Sequence, residues 1–362
     1  MSAPLSHIRA RPCAADRHHE LRSMPSANPE PRPHPAATAL PLRPSIVPAS
    51  AATPSTTVRA SDASSGPTVA SPTDLTSAAT AVRLKPAGLN EWRGDTTSGV
   101  PWRVIRGDAR HALRVFRDNR FDCVVTSPPY YWQRDYDVPN QIGLESTIEA
   151  YVNAVSATME EVRRVLHPHG LLFLNLADTY YSAKGQPKGS DKKNRARRFG
   201  LRAVDASGLG VPRKTLIGIP WRVALAMIDD GWVLRSPIVW RRQSSMPEPT
   251  ARDRPWRTYE MVFMFSKSQR YNFNRPALGD DEDIWTISTR PSPSKGLHSA
   301  SFPDELVQKC LDVGCASDGE VLDPFAGTGT TLKVAVMSGR PAVGVDLKLD
   351  FCEYMAKALT EI

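Results

Sequence analysis

Residues 321–347 read VLDPFAGTGTTLKVAVMSGRPAVGVDL, and this stretch decides the architecture. An apolar run, Glu320 to Pro324, gives way to a turn holding Gly327 and Gly329. A helical pattern follows from Thr330 to Ser338, and a second apolar strand runs from Pro341 to Asp346. Strand, glycine turn, helix and strand in so short a span are the unit from which α/β sheets are built.

The same alternation continues outward. Trp102 to Arg106 reads as a strand, Ala109 to Phe116 as a helix and Phe121 to Thr126 as a strand. A long helical face carries Ile148, Tyr151, Val152, Val155, Met159, Val162 and Leu166, and it is expected to stop at HPHG, where Pro168 and Gly170 are exit signals. LLFLNL, Leu171 to Leu176, reads as a short buried strand. IPWRVALAMIDDGW reads as a helix closed by Gly231, followed by the strands VLRSPIVWRR and YEMVFMFSK. Two more helices are expected, from Pro303 to Val313 and from Phe351 to Glu361.

The first ninety residues are different in kind. They contain no Phe, Tyr or Trp and hold 14 of the 32 prolines in the 362-residue chain. Such a segment cannot bury enough apolar surface to offset the entropy of ordering it. Residues 1–89 are therefore expected to be a disordered tail, and 90–362 a single folded domain. The tail's Arg-containing start is compatible with a transit peptide, but it lacks an apolar stretch of secretory length, and Met24 is an alternative start. No run in the chain approaches the roughly 18 apolar residues of a membrane helix, so a soluble, cytoplasmic protein is expected. The five cysteines form no CxxC pair, and no metal site is expected.

Charge is concentrated rather than spread. The formal net charge is +8, yet residues 182–214 alone carry ten Lys or Arg against Asp191 and Asp205. The tail has nine basic and five acidic residues, so the rest of the chain is net acidic. A patch of this kind attracts phosphate backbones, with a solvated loop as the plain alternative. Lys192, Lys193, Arg195, Arg197 and Arg198 lie in it, and Arg252 and Arg254 lie in a second Pro-rich loop, 243–257. Both loops are candidate insertions for contacting a phosphate backbone, although a salt-bridged surface loop accounts equally well for Arg252, Asp253 and Arg254.

The glycine turn invites an anionic ligand, because backbone N–H groups and a helix N-terminus meet there. It is not a dinucleotide fingerprint, since the third glycine position is Leu332, and no lysine follows as a phosphate loop requires. Asp346 ends the next strand about twenty residues on, where an acid can hold a ribose diol. A ligand with a carboxylate and a ribose satisfies both features, and S-adenosylmethionine has the two. A structural turn is the alternative, which Asp323 and Phe325 make less general.

After the strand FDCVV comes TSPPYYWQRDY, residues 126–136. Proline lacks an N–H donor and restricts its predecessor, so the strand ends here in a stiff loop. TSPPY and DPFAGTGTT together resemble the catalytic and cofactor motifs of the amino-methylating DNA methyltransferases, which form N4-methylcytosine or N6-methyladenine. The resemblance runs from Trp102 to the end, through IPWRVALAMIDDGWVLRSPIVW, RDRPWRTYE and GLHSASFPDELVQKCL. Because the catalytic motif precedes the cofactor motif, the order resembles the permuted beta group. The resemblance implies a Rossmann-like, S-adenosylmethionine-dependent methyltransferase fold with a mixed, mostly parallel sheet. It also implies cofactor contacts at Asp108, Phe302, Pro303, Asp323, Phe325, Gly327, Thr328, Gly329, Thr330 and Asp346. A cytosine-C5 route is closed, because the prolines are followed by Tyr130 and not by a nucleophilic cysteine.

The chemistry needed is specific. An exocyclic amine on a base is a poor nucleophile, and acceptors for both its hydrogens localise its lone pair. Ser127 and the Pro128 carbonyl are expected to accept them, with Pro129 fixing direction and Tyr130 stacking on a flipped base. At least one of Tyr131 and Trp132 is expected in the core, and His111, His167, His169 and His298 have no acid–base pattern. The resemblance favours cytosine N4, since Ser precedes the prolines where Asp or Asn marks adenine; adenine N6 is the alternative. A catalytically inactive DNA-binding protein is the reading from another class, and an RNA substrate a third. Double-stranded DNA is the expected partner, with a cognate restriction endonuclease possible and monomer or homodimer left open.

Overall fold

The computed structural model describes residues 90–181, 210–243, 248, 251–289 and 302–362. The proline-rich tail lies outside the described residues, as do His298 and the basic-loop residues Lys192, Lys193, Arg195, Arg197 and Arg198.

The described residues form nine strands: β1 (Glu91–Asp95), β2 (Pro101–Arg106), β3 (Phe121–Thr126), β4 (Leu166–Leu176), β5 (Val233–Arg242), β6 (Tyr259–Ser266), β7 (Ile284–Ile287), β8 (Val321–Asp323) and β9 (Ala342–Asp346). They form one sheet in the order β1, β2, β9, β8, β3, β4, β6, β5, β7. From β2 to β4 the neighbours are all parallel. β1 runs antiparallel to β2, β6 is antiparallel to both β4 and β5, and β7 is parallel to β5. The sheet is thus mixed and mostly parallel.

Helices cover both faces. These are α1 (Ala109–Ala112), continuing into a 3-10 turn at Leu113–Val115, α2 (Ile148–Val165), α3 (Ile219–Asp229), α4 (Arg275–Leu278), α5 (Asp304–Gly314), α6 (Thr330–Met337) and α7 (Leu349–Thr360). Successive strand side chains point to opposite faces, so one strand feeds two cores. Val124, Leu172, Leu174, Phe263 and Phe265 pack with α2 and α3 on one face. Cys123, Val125, Leu171, Phe173, Val262 and Met264 pack with α5, α6 and α7 on the other. Burial on both sides explains why LLFLNL and VFMF read as continuous apolar runs. Thr147 caps α2, its hydroxyl accepting the Ala150 N–H at 3.0 Å, and Arg163 and Arg164 occupy the last turn where cations suit the helix dipole.

The strand order places the site. β3 leads through α2 to β4 on one side, while its neighbour β8 leads through α6 to β9 on the other. Where crossovers diverge from adjacent parallel strands, a crevice opens beyond their carboxyl ends. TSPPY leaves β3 and DPFAGTGTT leaves β8 at that point.

The structure departs from the sequence expectation at three places. β1 was not anticipated: EWRGD is charged, but Trp92 is buried and Glu91 is held by Arg93 at 3.0 Å and Arg103 at 2.9 Å, so a charged edge strand is stable. β7 also escapes the apolar pattern, since only Trp285 and Ile287 of its four residues are buried. α2 ends at Val165, just ahead of HPHG, as the exit signals predict, but HPHG itself lies inside β4, which starts at Leu166 and not at Leu171. Leu166 pairs with Phe121, then the register shifts before Cys123 pairs with Leu171, so the extra residues form a bulge. Ser268 Oγ donates to the Pro168 carbonyl at 2.8 Å and the Asn272 N–H to the His169 carbonyl at 2.8 Å, satisfying the bulged backbone. Gly170 is required there, because a Cβ would stand 2.7 Å from Leu166 Cδ1 and 2.8 Å from the Asp122 carbonyl.

Gly170→Ala is accordingly expected to cost about 1–3 kcal/mol of stability through overpacking against fixed backbone. A chemical denaturation midpoint equal to that of the native chain would contradict this account of the bulge.

Candidate active site

The two loops are joined by one buried carboxylate. Thr126, the last residue of β3, donates its hydroxyl to Asp323 Oδ1 at 2.6 Å. Thr331 in the first turn of α6 donates to Asp323 Oδ2 at 2.7 Å, and the Phe325 N–H reaches Oδ1 at 3.0 Å. Burial pushes the Asp323 carboxyl up to about 6, against these three hydrogen bonds, which favour the charge. Asp323 was expected among the cofactor contacts. At 1% exposed with both oxygens engaged, it instead lies beneath the crevice and fastens the tips of β3, β8 and α6 together.

Above it the glycine turn is shaped as expected. Gly327 has φ +55°, and a Cβ there would meet nothing within 4 Å, so the backbone faces open space. Gly329 has φ +84°, and its missing Cβ would stand 2.6 Å from Met355 Cγ, so this glycine serves close packing on α7. Asp346 Oδ2 accepts the Gly327 N–H at 2.8 Å and Oδ1 the Lys348 N–H at 2.8 Å. Burial pushes Asp346 up to about 6, in opposition to those amides. Each of its oxygens keeps a lone pair for a hydroxyl. Thr328 and Thr330 are half-buried in the same turn, Phe325 packs at its edge on the sheet, and Phe302 and Pro303 lead into α5. Asp108 caps α1, accepting the Arg110 N–H at 3.0 Å and the guanidinium Nε at 2.9 Å. Burial raises its carboxyl, but the hydrogen bonds from Arg110 outweigh that and hold it below the usual range. It lies on the wall of a cleft of about 570 Å³ between α1 and α2, with Arg110, Glu145 and Glu161.

The proline loop is braced from several elements. Pro128 is buried, and among the described residues no donor reaches its carbonyl. The Pro129 carbonyl, by contrast, accepts the Tyr151 hydroxyl from α2 at 2.9 Å. Trp132, at φ +52°, donates its backbone N–H to the Gly143 carbonyl at 2.6 Å. Tyr131 is in the core, its ring 5.2 Å from Tyr151, and Trp132 Nε1 donates to the Glu145 carbonyl at 2.7 Å. Ser127 Oγ donates to the Tyr130 hydroxyl at 3.2 Å. That hydroxyl in turn lies 2.7 Å from Glu260 Oε2 and 2.9 Å from Asn175 Oδ1. Tyr130, read from the sequence only as a stacking surface, is thus also tied by its hydroxyl to two strands, and burial followed by the Glu260 charge raises its pKa well above the ordinary value.

Asn175, Glu260 and Asp178 are the residues that sequence reading missed. Asp178 accepts the Gly218 and Ile219 N–H groups, each at 3.0 Å, and so caps α3. The available signal was a polar residue at the carboxyl end of an apolar strand, as in LLFLNLAD. In the second loop, Arg254 donates to Glu248 at 2.7 Å and lies 3.8 Å over the Tyr180 ring. Asp253 pairs with Lys214, whereas Arg252 is exposed. Arg254 and Asp253 thus each have a partner within the protein, as a salt-bridged loop requires. Among the described residues no group of His, Cys, Asp or Glu is gathered for a metal, and no helix is long and apolar enough to cross a membrane.

Parallel strand tips, a proline loop and a glycine turn over one crevice define a Rossmann-like methyltransferase architecture. Residues 121–357 match the DNA methylase family of the N6/N4 class, and the chain belongs to that family. It is 38% identical over 265 residues to the Type II methyltransferase M.Cfr9I of Citrobacter freundii, covering 71% of this chain and 87% of that protein. It is 39% identical over 260 residues to the Type II methyltransferase M.SmaI of Serratia marcescens, covering 69% and 87%. Its fold is similar to that of the PvuII DNA methyltransferase, which is described as cytosine-N4-specific, with a TM-score of 0.55 and 22% identity over 71% of this chain and 85% of that one.

Asp323→Asn tests the buried pin. The folded pKa of about 6 exceeds the ordinary 3.8, so the folded state holds the extra proton between those values. The stability of the native chain relative to Asp323→Asn is expected to fall as pH rises from about 4 to about 6 and to level off above. Thermal melts showing a difference independent of pH would contradict it.

Proposed function

We propose that this chain is a site-specific DNA methyltransferase that moves a methyl group from S-adenosylmethionine to the N4 amine of cytosine in duplex DNA. The observation that carries the reading is the Thr126–Asp323–Thr331 pin, which holds the amine-binding and cofactor motifs of the family at one crevice. The residues fit the cofactor: the space beside Gly327 is open, a helix N-terminus follows it, and Asp346 has lone pairs left for hydroxyls. S-adenosylmethionine, when bound, supplies a methyl group on a sulfonium, which makes it an electrophile.

The chain's own residues prepare the nucleophile. Ser127 Oγ and the Pro128 carbonyl accept the two amino hydrogens and localise the nitrogen lone pair. No donor among the described residues competes for the Pro128 carbonyl, and Pro129 is held in place by Tyr151. Tyr130 presents a half-buried ring against which an extruded base can stack, recovering part of the few kcal/mol that flipping costs. Taking the methyl group leaves the amine nitrogen positively charged until it sheds one proton to solvent, so the protein's part in the rate is positioning. Serine before the prolines supports cytosine N4 over adenine N6, and the Type II relatives support a modification role beside a restriction endonuclease. Arg252 and the basic residues of 182–214 are the proposed phosphate or base contacts, with a cytoplasmic site of action.

Ser127→Ala is expected to abolish methyl transfer while S-adenosylmethionine binding, followed by calorimetry, stays near that of the native chain. Expression in a host free of methylation, followed by sequencing that separates the products, should reveal N4-methylcytosine. N6-methyladenine would move the substrate, and retained turnover in Ser127→Ala would overturn the assigned role.

A further inference from the structure

Behind the proline loop a chain of hydrogen bonds runs in one direction. Glu260 at the start of β6 has a side chain only 13% exposed, and its Oε1 stands 3.3 Å from Arg242 Nη1 on the neighbouring β5. Its other oxygen, Oε2, lies 2.7 Å from the Tyr130 hydroxyl and 3.3 Å from Asn175 Nδ2. Asn175 Nδ2 also reaches the Met261 carbonyl at 3.2 Å, which turns Asn175 Oδ1 toward Tyr130 at 2.9 Å. Both inner neighbours of the Tyr130 hydroxyl are therefore acceptors, and the phenol has a single proton to give. The proton is committed inward, toward the carboxylate, which makes the stronger, charge-assisted bond. The outer lone pair of the phenol is left facing Ser127 Oγ at 3.2 Å, and the serine proton goes to it.

We propose that Glu260 is a positioning residue of this site, which acts through Tyr130 to fix the Ser127 hydroxyl as a hydrogen-bond acceptor toward the substrate. This deepens the functional reading above and rests on it. A serine hydroxyl alone can donate or accept, and a cytosine presents a donor, its amine, beside an acceptor, its ring nitrogen. With its own hydrogen spent on Tyr130, Ser127 offers only lone pairs. Those match an amino hydrogen and repel a ring nitrogen, so the serine selects the group to be methylated. Arg242 balances the buried carboxylate, and β4, β5 and β6 together hold the chain of groups rigid.

The inference separates Glu260 from a residue that merely supports the fold. In Glu260→Leu the phenol proton is free to turn outward and compete for Ser127. Single-turnover methyl transfer is expected to fall about 10- to 100-fold, the usual cost of losing an outer orienting partner. Binding of S-adenosylmethionine and of duplex DNA should stay within about twofold, since only orientation in the reacting complex is lost. Glu260→Gln keeps a carbonyl acceptor and should recover most of the rate. The decisive comparison is a double-mutant cycle: in a Tyr130→Phe background, Glu260→Leu should cost nothing further. Additive losses would overturn the inference, and so would a native rate in Glu260→Leu. If the native chain transferred no methyl group to a base amine in DNA, the functional reading itself would fail, and that outcome is separate from either of these.

Discussion

A carboxylate removed from water must find its donors within the protein, and Asp323 finds them on two other elements. Thr126 belongs to β3 and Thr331 to α6, elements far apart in sequence that meet only when the sheet forms. The crevice between the proline loop and the glycine turn follows from that meeting, because each loop begins one residue beyond a pinned strand tip. Burying the acid is unfavourable, and because its pKa stays raised with all three hydrogen bonds in place, those bonds offset only part of that cost. Specificity of arrangement is what the buried carboxylate supplies.

Around this pin, polarity is graded. The glycine turn offers backbone N–H groups and an acid whose oxygens already accept amides, suited to a ligand with both anionic and hydroxyl groups. The proline loop offers acceptors, in Ser127 and the Pro128 carbonyl, to a partner that carries N–H. Behind it, the Tyr130, Asn175 and Glu260 groups form a network in which every inner contact is directional. A crevice with acceptors on one wall and donors on the other brings an amine to an electrophile without requiring a base in contact with it.

Much of this was legible in the sequence, for identifiable reasons. Strands buried on both faces write continuous apolar runs, so LLFLNL and VFMF declared themselves, and α2 declared itself through its one apolar face. The glycine turn and the proline loop are short-range features whose physics is local. What escaped depended on neighbours distant in the chain. β1 owes its stability to Arg103 and β2, HPHG joined β4 because Ser268 and Asn272 satisfy its carbonyls, and Glu260 acquired meaning only when β6 came beside the β3 loop. Asp323 was recognised as part of the site but misplaced within it: the sequence marked an acid before the turn, and burial decided which way it faced. Of the two readings the sequence left for Arg254, its contacts with Glu248 and Tyr180 match the salt-bridged loop, and no spacing rule connects those partners to it.

The central claim is that one crevice at the β3 and β8 tips serves both loops. A crystal structure of the chain soaked with sinefungin, an S-adenosylmethionine analogue carrying an amine in place of the reacting methyl, tests it directly. The account predicts the ligand's amino-acid end at residues 327–330, its ribose at Asp346 and its extra amine directed at Ser127. A ligand seated elsewhere, or one whose amine points away from the proline loop, would contradict it.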